Sequence, residues 1–284
     1  MIISGKVKIC GIIGDPIEHT MSPAMHNAAF YKLGLDYVFV PFLVKKEGLR
    51  QAIDGVRGLN IRGLGVTIPH KVAVMQYLDQ IDDLAQKIGA VNILVNDNGT
   101  LTGYNTDAGG FLRALLERGI EPKGKMVAIL GAGGASRAIS FVLAERGANL
   151  IILNRTWDKA IELADRVARS FGNKIEALPL DKENLTKALG RADIMMNCTN
   201  VGMHPHVSET LVTANQLKSD MIVFDTVYNP IKTQLLKEAE KAGATTISGV
   251  EMLVWQGVLA FEMWTHHKAP VEVMREAVII MMQK

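Results

Sequence analysis

Short apolar runs at 7–13, 37–43 and 64–68 alternate with longer stretches whose apolar residues recur at helical spacing, a rhythm that predicts βαβ units. The stretch VNILVNDNGTLTGYNTDAGGF (91–111) breaks it, because Asp97-Asn98-Gly99 is a tight-turn signal between two apolar runs. It predicts a hairpin, and with it an antiparallel edge on a parallel sheet. A helical pattern over 111–118 then ends at Gly119, and the polar EPKGK (121–125) leads into a new strand. Strands follow at 126–130, 149–153, 175–178, 194–197, 221–225 and 245–247 with helical segments between most of them, which predicts a doubly wound sheet. The tail is helical from Gly249 and again over 271–282, with no strand left to join that sheet.

The expectation is an α/β protein of two domains. A substrate domain spans 1–107 and is completed by helices from 250–284, and a Rossmann-type dinucleotide domain spans 108–249 with a hinge near each junction. A chain of 284 residues is long enough for two cores, and 48% hydrophobic with 21% charged residues is ordinary for a globular protein. The formal net charge of +2 comes without a dense basic run, so a small-molecule partner is expected in place of nucleic acid or a membrane. The N-terminus, interrupted by Lys6, Lys8 and Asp15, lacks a signal-peptide layout, and no apolar run reaches the ~18 residues that span a bilayer. Two distant cysteines, Cys10 and Cys198, read as reduced thiols of a cytoplasmic protein, monomer or homodimer.

The candidate chemistry begins at GAGGASRA (131–138), directly after the strand 126–130. Glycines there let the backbone approach a pyrophosphate, whose charge is met by the free N–H groups and positive end of the next helix. Gly131, Ala132, Gly133, Gly134 and Ala135 form that turn, with Ser136 where the fingerprint has Gly or Ala. The next strand ends in Asn154-Arg155-Thr156, where an NAD site places a carboxylate on the ribose diol. A guanidinium and a hydroxyl suit a 2′-phosphate instead, with Lys159 as a second cation, so NADP is the expected cofactor. Asp158 keeps NAD open, and Thr156 also fits as a plain helix N-cap.

Four further stretches, GDPIEHTMSPAMHN (14–27), GVTIPHK (65–71), GAVN (89–92) and GYNTDAGG (103–110), stand in order with GAGGA, NRT and GVEMLVWQG (249–257). In these motifs the sequence resembles the shikimate dehydrogenase family, including its quinate/shikimate branch, over essentially the whole chain. The resemblance implies reversible reduction of 3-dehydroshikimate to shikimate by NADPH, with substrate in a cleft between the domains. Lys71 matches the family's catalytic lysine and Asp107 its partner carboxylate. Moving a hydride onto a ketone carbon leaves an alkoxide that needs a proton donor within reach. The pair serves that transfer or holds the reacting hydroxyl. Without the family, a lysine after TIPH reads as a solvated helix residue.

The resemblance also places Thr20 and Ser22 on the substrate carboxylate, where the family has two serines, and Thr67, Asn92, Asp107, Gln256 and Tyr228 around the ring. Thr226 and Gly249 fall in motifs that flank the cofactor. Read alone, Ser22-Pro23 is a helix start with Ser22 as N-cap and Pro23 at N1. Asn92 and Gln256 read as backbone caps and Tyr228 as a packing residue. Gly65 departs from the family, many of whose members carry Asn there, and opens room near the ring, which keeps quinate oxidation with NAD or NADP as the alternative.

His204-Pro205-His206 has no third ligand nearby, so no metal is expected. His19 and His26 flank the Thr20/Ser22 site and read as buried, satisfied imidazoles, and His266-His267 as a solvated helix end. A ligand-sensing regulator could dispense with Lys71 or Asp107, and both are present. A methylene-tetrahydrofolate dehydrogenase would share the glycine turn but not GYNTD.

Overall fold

A computed structural model describes residues 4–172 and 175–283; residues 1–3, 173–174 and 284 lie outside it. The chain divides into two compact units, Met1–Gly110 with Val254–Lys284, and Phe111–Leu253.

The first unit carries a six-stranded mixed sheet. β1 (Lys8–Gly14), β2 (Tyr37–Leu43) and β3 (Gly63–Val66) are parallel, linked through α1 (Ser22–Lys32) and α2 (Leu49–Gly58). The predicted hairpin forms from Ile93–Asp97 and Thr100–Tyr104, its first strand running antiparallel to β3. Its turn is Asn98 at φ 54° and Gly99 at φ 94°, the two positive values that a two-residue hairpin of this hand needs. The hairpin is not the edge of the sheet, however. β4 (Gln80–Ile81) pairs parallel to the second hairpin strand and closes it, and two residues are too few to show a period in the sequence. With the hairpin strands as β5 and β6, the order across the sheet is β2-β1-β3-β5-β6-β4.

One face of this sheet buries Ile13, Leu64, Val66, Leu94 and Leu101 against Leu49, Ile53 and Val56 of α2 and Ala85 of α3 (Asp83–Ile88). Elsewhere in the unit, His26 of α1 stacks on Phe39 and on Phe261 of the long helix Gly249–Thr265 and packs tilted against its Trp264, while Phe30 of α1 stacks on Phe261. The Trp264 indole donates to the Leu94 carbonyl at 2.9 Å and lies so close to Gly63 that no Cβ fits there. The final helix, Val271–Met282, completes the unit with Met274 and Val278 buried.

The second unit is an all-parallel sheet. Its strands are β7 (Met126–Leu130), β8 (Asn149–Asn154), β9 (Glu176–Pro179), β10 (Ile194–Asn197), β11 (Ile222–Asp225) and β12 (Thr245–Ile247), in the order β12-β11-β10-β7-β8-β9. The order reverses between β7 and β10, the switch point of a doubly wound Rossmann-type sheet. Leu185 and Leu189 of α7 (Lys182–Arg191) with Leu235 and Leu236 of α8 (Gln234–Lys241) share one core cluster with Ala128, Leu130, Ile151, Met195 and Val223. α5 (Gly134–Glu145) and α6 (Trp157–Phe171) meet through Phe141 and Phe171 at a 5.9 Å ring separation. Burial on both faces explains why these strands read as continuous apolar runs.

α4 covers Thr106–Leu116, five residues earlier than its sequence pattern suggested. Two glycines hid that first turn, because glycine disfavours a helix interior. Here they serve packing against the long helix Gly249–Thr265, which is α9. A Cβ on Gly110 would come within 2.6 Å of the Gln256 nitrogen, and one on Gly109 within 2.7 Å of Leu259 Cδ1. Asn105 supports the start by accepting from the Ala108 N–H at 3.3 Å.

Candidate active site

At the carboxyl end of β3 the chain leaves the sheet in a turn, residues 67–71, held from several sides. Thr67 N–H donates to Ile13 O at 3.0 Å, Asp15 N–H to Ile68 O at 2.9 Å, and Val91 N–H to Lys71 O at 2.8 Å. His70, 1% exposed, places Nε2 2.7 Å from the Val44 carbonyl. Lys71 therefore stands on a fixed turn and not on a solvated helix.

Its ammonium donates to Asp107 Oδ2 at 2.6 Å, with the side chains 20% and 8% exposed. Asp107 Oδ1 accepts from Asn92 Nδ2 at 2.9 Å, and the same Nδ2 donates to Thr106 Oγ1 at 3.0 Å. Asn92 Oδ1 accepts from the Thr106 N–H at 2.7 Å. Both amide hydrogens and the amide oxygen of Asn92 are thus engaged within the protein, and they set the rotation of the Asp107 carboxylate.

Thr20 and Ser22 lie at the start of α1, where the Ser22 N–H donates to Thr20 Oγ1 at 3.4 Å. Ser22 is the first residue of the helix and not its cap. Met21 holds the N-cap position, with no side-chain cap bond, and Pro23 falls in the first turn. The hydroxyl is spared from capping. Gln256 is half-buried in α9 of the same unit, as is Thr67 on its turn. Tyr228 stands apart from these in sequence and in unit. It follows β11 in the second unit, and burial raises its phenol above the usual range.

The two flanking histidines differ from expectation. His19 is exposed at the surface. His26 is buried but unsatisfied, since its Nδ1 has no partner. It lies 4.6 Å from the Phe39 ring, and burial pushes its imidazole down to about 3, so it packs as a neutral aromatic. Gly65 registers against Ile12 across β3 and β1, and a Cβ on it would meet Ile12 Cγ1 at 3.2 Å.

In the second unit the glycine turn leaves β7 at Gly131, whose φ of 107° and Cβ position 2.9 Å from the Cys198 carbonyl admit only glycine without strain. Ala132 is buried beneath it, Gly133 is the N-cap of α5 with open space around it, and Gly134 and Ala135 begin the helix. Ser136 is fully buried and donates to the Gly131 carbonyl at 2.6 Å, so the hydroxyl at the sixth place closes the turn from inside. β8 ends at Asn154, whose Nδ2 donates to Thr156 O at 2.8 Å. Arg155, Thr156 and Lys159 are exposed around the first turn of α6, where Thr156 holds the N-cap position without a side-chain cap bond. An open helix N-terminus and exposed cations at the end of the second strand fit a dinucleotide with a 2′-phosphate.

Thr226 turns its hydroxyl inward, to Asn197 O at 2.9 Å. Gly249 is held against it, since a Cβ there would lie 2.5 Å from the Thr226 carbonyl. Asn197 opens NCTNVGM (197–203), a stretch the family resemblance brings close to the nicotinamide, whereas His70 and Asp225 carried no expectation from the sequence. His70 sits next to Lys71 in the same motif, so its neighbourhood was the easiest of the three to read from the sequence. Asp225 ends an ordinary apolar strand and carries no local signal.

Residues 12–94 match the shikimate dehydrogenase substrate binding domain, 115–247 the shikimate / quinate 5-dehydrogenase domain and 249–279 the shikimate 5′-dehydrogenase C-terminal domain. The chain is 52% identical, over 98% of its length and 97% of the relative's, to the shikimate dehydrogenase (NADP(+)) of Methanopyrus kandleri. The chain belongs to the shikimate dehydrogenase family. Its fold is similar to a crystal structure of a shikimate dehydrogenase in complex with NADP+, with a TM-score of 0.94 at 46% identity over 100% and 98% of the two chains. It is also similar to the Thermus thermophilus shikimate 5-dehydrogenase in complex with NADP(H) and shikimate, with a TM-score of 0.87 at 36% identity over 96% and 99%. Within the shikimate dehydrogenase family these relatives favour the NADP-linked enzyme over a quinate/shikimate enzyme or a regulator without turnover. Among the described residues no helix is long and apolar enough to cross a membrane.

Proposed function

We propose that the chain catalyses the reversible reduction of 3-dehydroshikimate to shikimate in the cytoplasm, with Lys71 moving the proton. The carrying observation is the Lys71–Asp107 pair, locked at 2.6 Å on a rigid turn and a helix N-terminus. When bound, NADPH supplies the hydride, and Arg155, Thr156, Lys159 and the 131–135 turn are the residues that would hold its phosphates.

As the ketone carbon gains the hydride, the carbonyl electron pair moves to oxygen. Lys71 Nζ gives that oxygen a proton and is recharged from solvent, to which it stays partly open. An ammonium has three donors; Asp107 takes one, which leaves N–H bonds to aim at the substrate oxygen. Asp107 orients the ammonium. Asn92 belongs to this support as well. Its bonds to Thr106 and Asp107 support a role in holding Asp107 beside the ring. Thr20 and Ser22 offer hydroxyls to the substrate carboxylate, and Thr67 and Gln256 of the same unit offer polar groups to the ring hydroxyls.

Initial rates at 340 nm with shikimate or quinate, each with NADP+ and NAD+, test the reading. Shikimate with NADP+ is expected to exceed shikimate with NAD+ by at least about tenfold, the effect of one charge-assisted contact to the 2′-phosphate, and to be faster than quinate with either cofactor. Equal rates with quinate, or no turnover of shikimate, would overturn it.

A further inference from the structure

A second carboxylate, absent from the proton-transfer scheme, lies at the carboxyl edge of the other sheet. Asp225 ends β11 and is 0% exposed. Its Oδ1 accepts from Asn197 Nδ2 at 2.9 Å and from the Val227 N–H at 3.0 Å, and its Oδ2 from Thr233 Oγ1 at 2.6 Å. Thr233 in turn caps α8, accepting from the Leu236 N–H. Among the described residues no Lys, Arg or His forms an ion pair with Asp225. Burial pushes its carboxyl up to about 6 against the pull of those donors.

Asn197, 3% exposed, passes the constraint on. Its Oδ1 accepts from the Thr199 N–H at 3.1 Å and Thr199 Oγ1 at 2.7 Å, and its Nδ2 also donates to Val201 O at 3.3 Å. Its carbonyl receives both the N–H and the hydroxyl of Thr226. One buried amide therefore fixes the loop after β10 and the start of the loop after β11. The loop after β10 is the one whose Cys198 carbonyl abuts Gly131.

In a doubly wound sheet each half holds one mononucleotide. The glycine turn and Arg155 belong to β7 and β8, the half that takes the adenosine 2′-phosphate, which leaves β10 and β11 to the nicotinamide half. A buried carboxylate without a cation is a costly way to tie two loops, because a neutral side chain would cost less to bury. What it gains is a strong, directional hold, since hydrogen bonds to an ionised acceptor are the tighter kind.

We propose that Asp225, Asn197 and Thr233 form a clamp of positioning residues that shapes the nicotinamide half of the cofactor site and leaves the adenosine half untouched. This rests on the NADP reading above. The clamp works through backbone placement, so its loss weakens grip on the nicotinamide nucleotide specifically.

The test is isothermal titration of wild type, Asp225→Asn and Thr233→Val with NADP+ and with adenosine 2′,5′-bisphosphate, which carries only the adenosine half. Asp225→Asn keeps the shape of the side chain but puts an NH2 where an acceptor stood, and Thr233→Val removes a single donor. Both are expected to raise the Kd for NADP+ about 5- to 30-fold, the equivalent of one or two misdirected hydrogen bonds, and to change the Kd for the bisphosphate less than about twofold. An unchanged NADP+ affinity, or equal loss of both ligands, in variants with wild-type circular dichroism would overturn the clamp. Should Asp225→Asn not fold, Thr233→Val decides alone by the same ratio. Wild-type protein that binds neither ligand would overturn the cofactor reading itself, and the clamp with it.

Discussion

Asp107 and Asp225 are both buried carboxylates near the carboxyl edge of a sheet, and each accepts bonds on both oxygens. They differ in one partner. Asp107 faces the Lys71 ammonium at 2.6 Å, whereas Asp225 faces an amide, a backbone N–H and a hydroxyl. A carboxylate paired with a cation beside solvent can take part in proton traffic, because its partner can lose and regain charge. One met only by fixed neutral donors has no such partner and can only hold shape. Under the proposal the same residue type therefore serves chemistry in one unit and architecture in the other, with the neighbours as the deciding difference.

Lys71→Ala should have the largest effect. It removes the proton donor and leaves Asp107 as unpaired as Asp225, and kcat should fall about 10²- to 10⁴-fold with little change in the KM for shikimate, read in a steady-state assay. A small loss would erase the contrast between the two carboxylates.

Next in size is a stability effect confined to the second unit. The folded-state value of Asp225, about 6, lies above its ordinary 3.8, so the native state holds the proton more tightly than the unfolded chain. Its contribution is fully favourable below pH ~4 and is lost as pH rises through ~6, a swing of about 3 kcal/mol at 1.36 kcal/mol for each pH unit between the two values. Asp225→Asn lacks this titration, so urea unfolding should show wild type losing up to that much relative to the variant between pH 4 and pH 7. The neighbouring Cys198 thiol does not interfere, as burial and the Asp225 charge both keep it protonated over that range. Parallel curves for the two proteins would show that the carboxylate is not strained by burial.

Arg155→Ala should then raise the KM for NADP+ about 10- to 100-fold and leave NAD+ turnover nearly unchanged, which sharpens the division of the second unit into an adenosine and a nicotinamide half. Smallest is Gly131→Ala, which forces a side chain onto φ 107° against the Cys198 carbonyl and should cost about 1–2 kcal/mol in thermal or urea unfolding.

The sequence made the strand rhythm visible where a chemical reason acted locally. Parallel strands buried on both faces read as unbroken apolar runs, and Asn98-Gly99 announced its hairpin because few other residues accept two positive φ values. What stayed hidden depends on distant partners. The first turn of α4 contains Gly109 and Gly110, unfavourable in isolation, and their value emerges only against Gln256 and Leu259. Two-residue β4 has no period to read.

The site follows the same division. The glycine turn follows its strand closely enough to be read locally, whereas Lys71 and Asp107 stand out only through the family resemblance of their motifs. The saturated bonding of Asn92, the aromatic stack around His26 and the Asp225 clamp join residues far apart in the chain, and only the folded arrangement reveals them. Ser22 shows a subtler limit, since Ser-Pro is a sound capping signal that a one-residue shift of the helix start leaves unused.

The most direct test sets the two carboxylates side by side: kcat for Asp107→Asn and for Asp225→Asn, each with shikimate and NADP+ at saturation. Asp107→Asn should lose at least about 10²-fold, since it disorients the proton donor, while Asp225→Asn should stay within about tenfold of wild type. Equal losses, or a larger loss at Asp225, would contradict the assignment of chemistry to one carboxylate and architecture to the other.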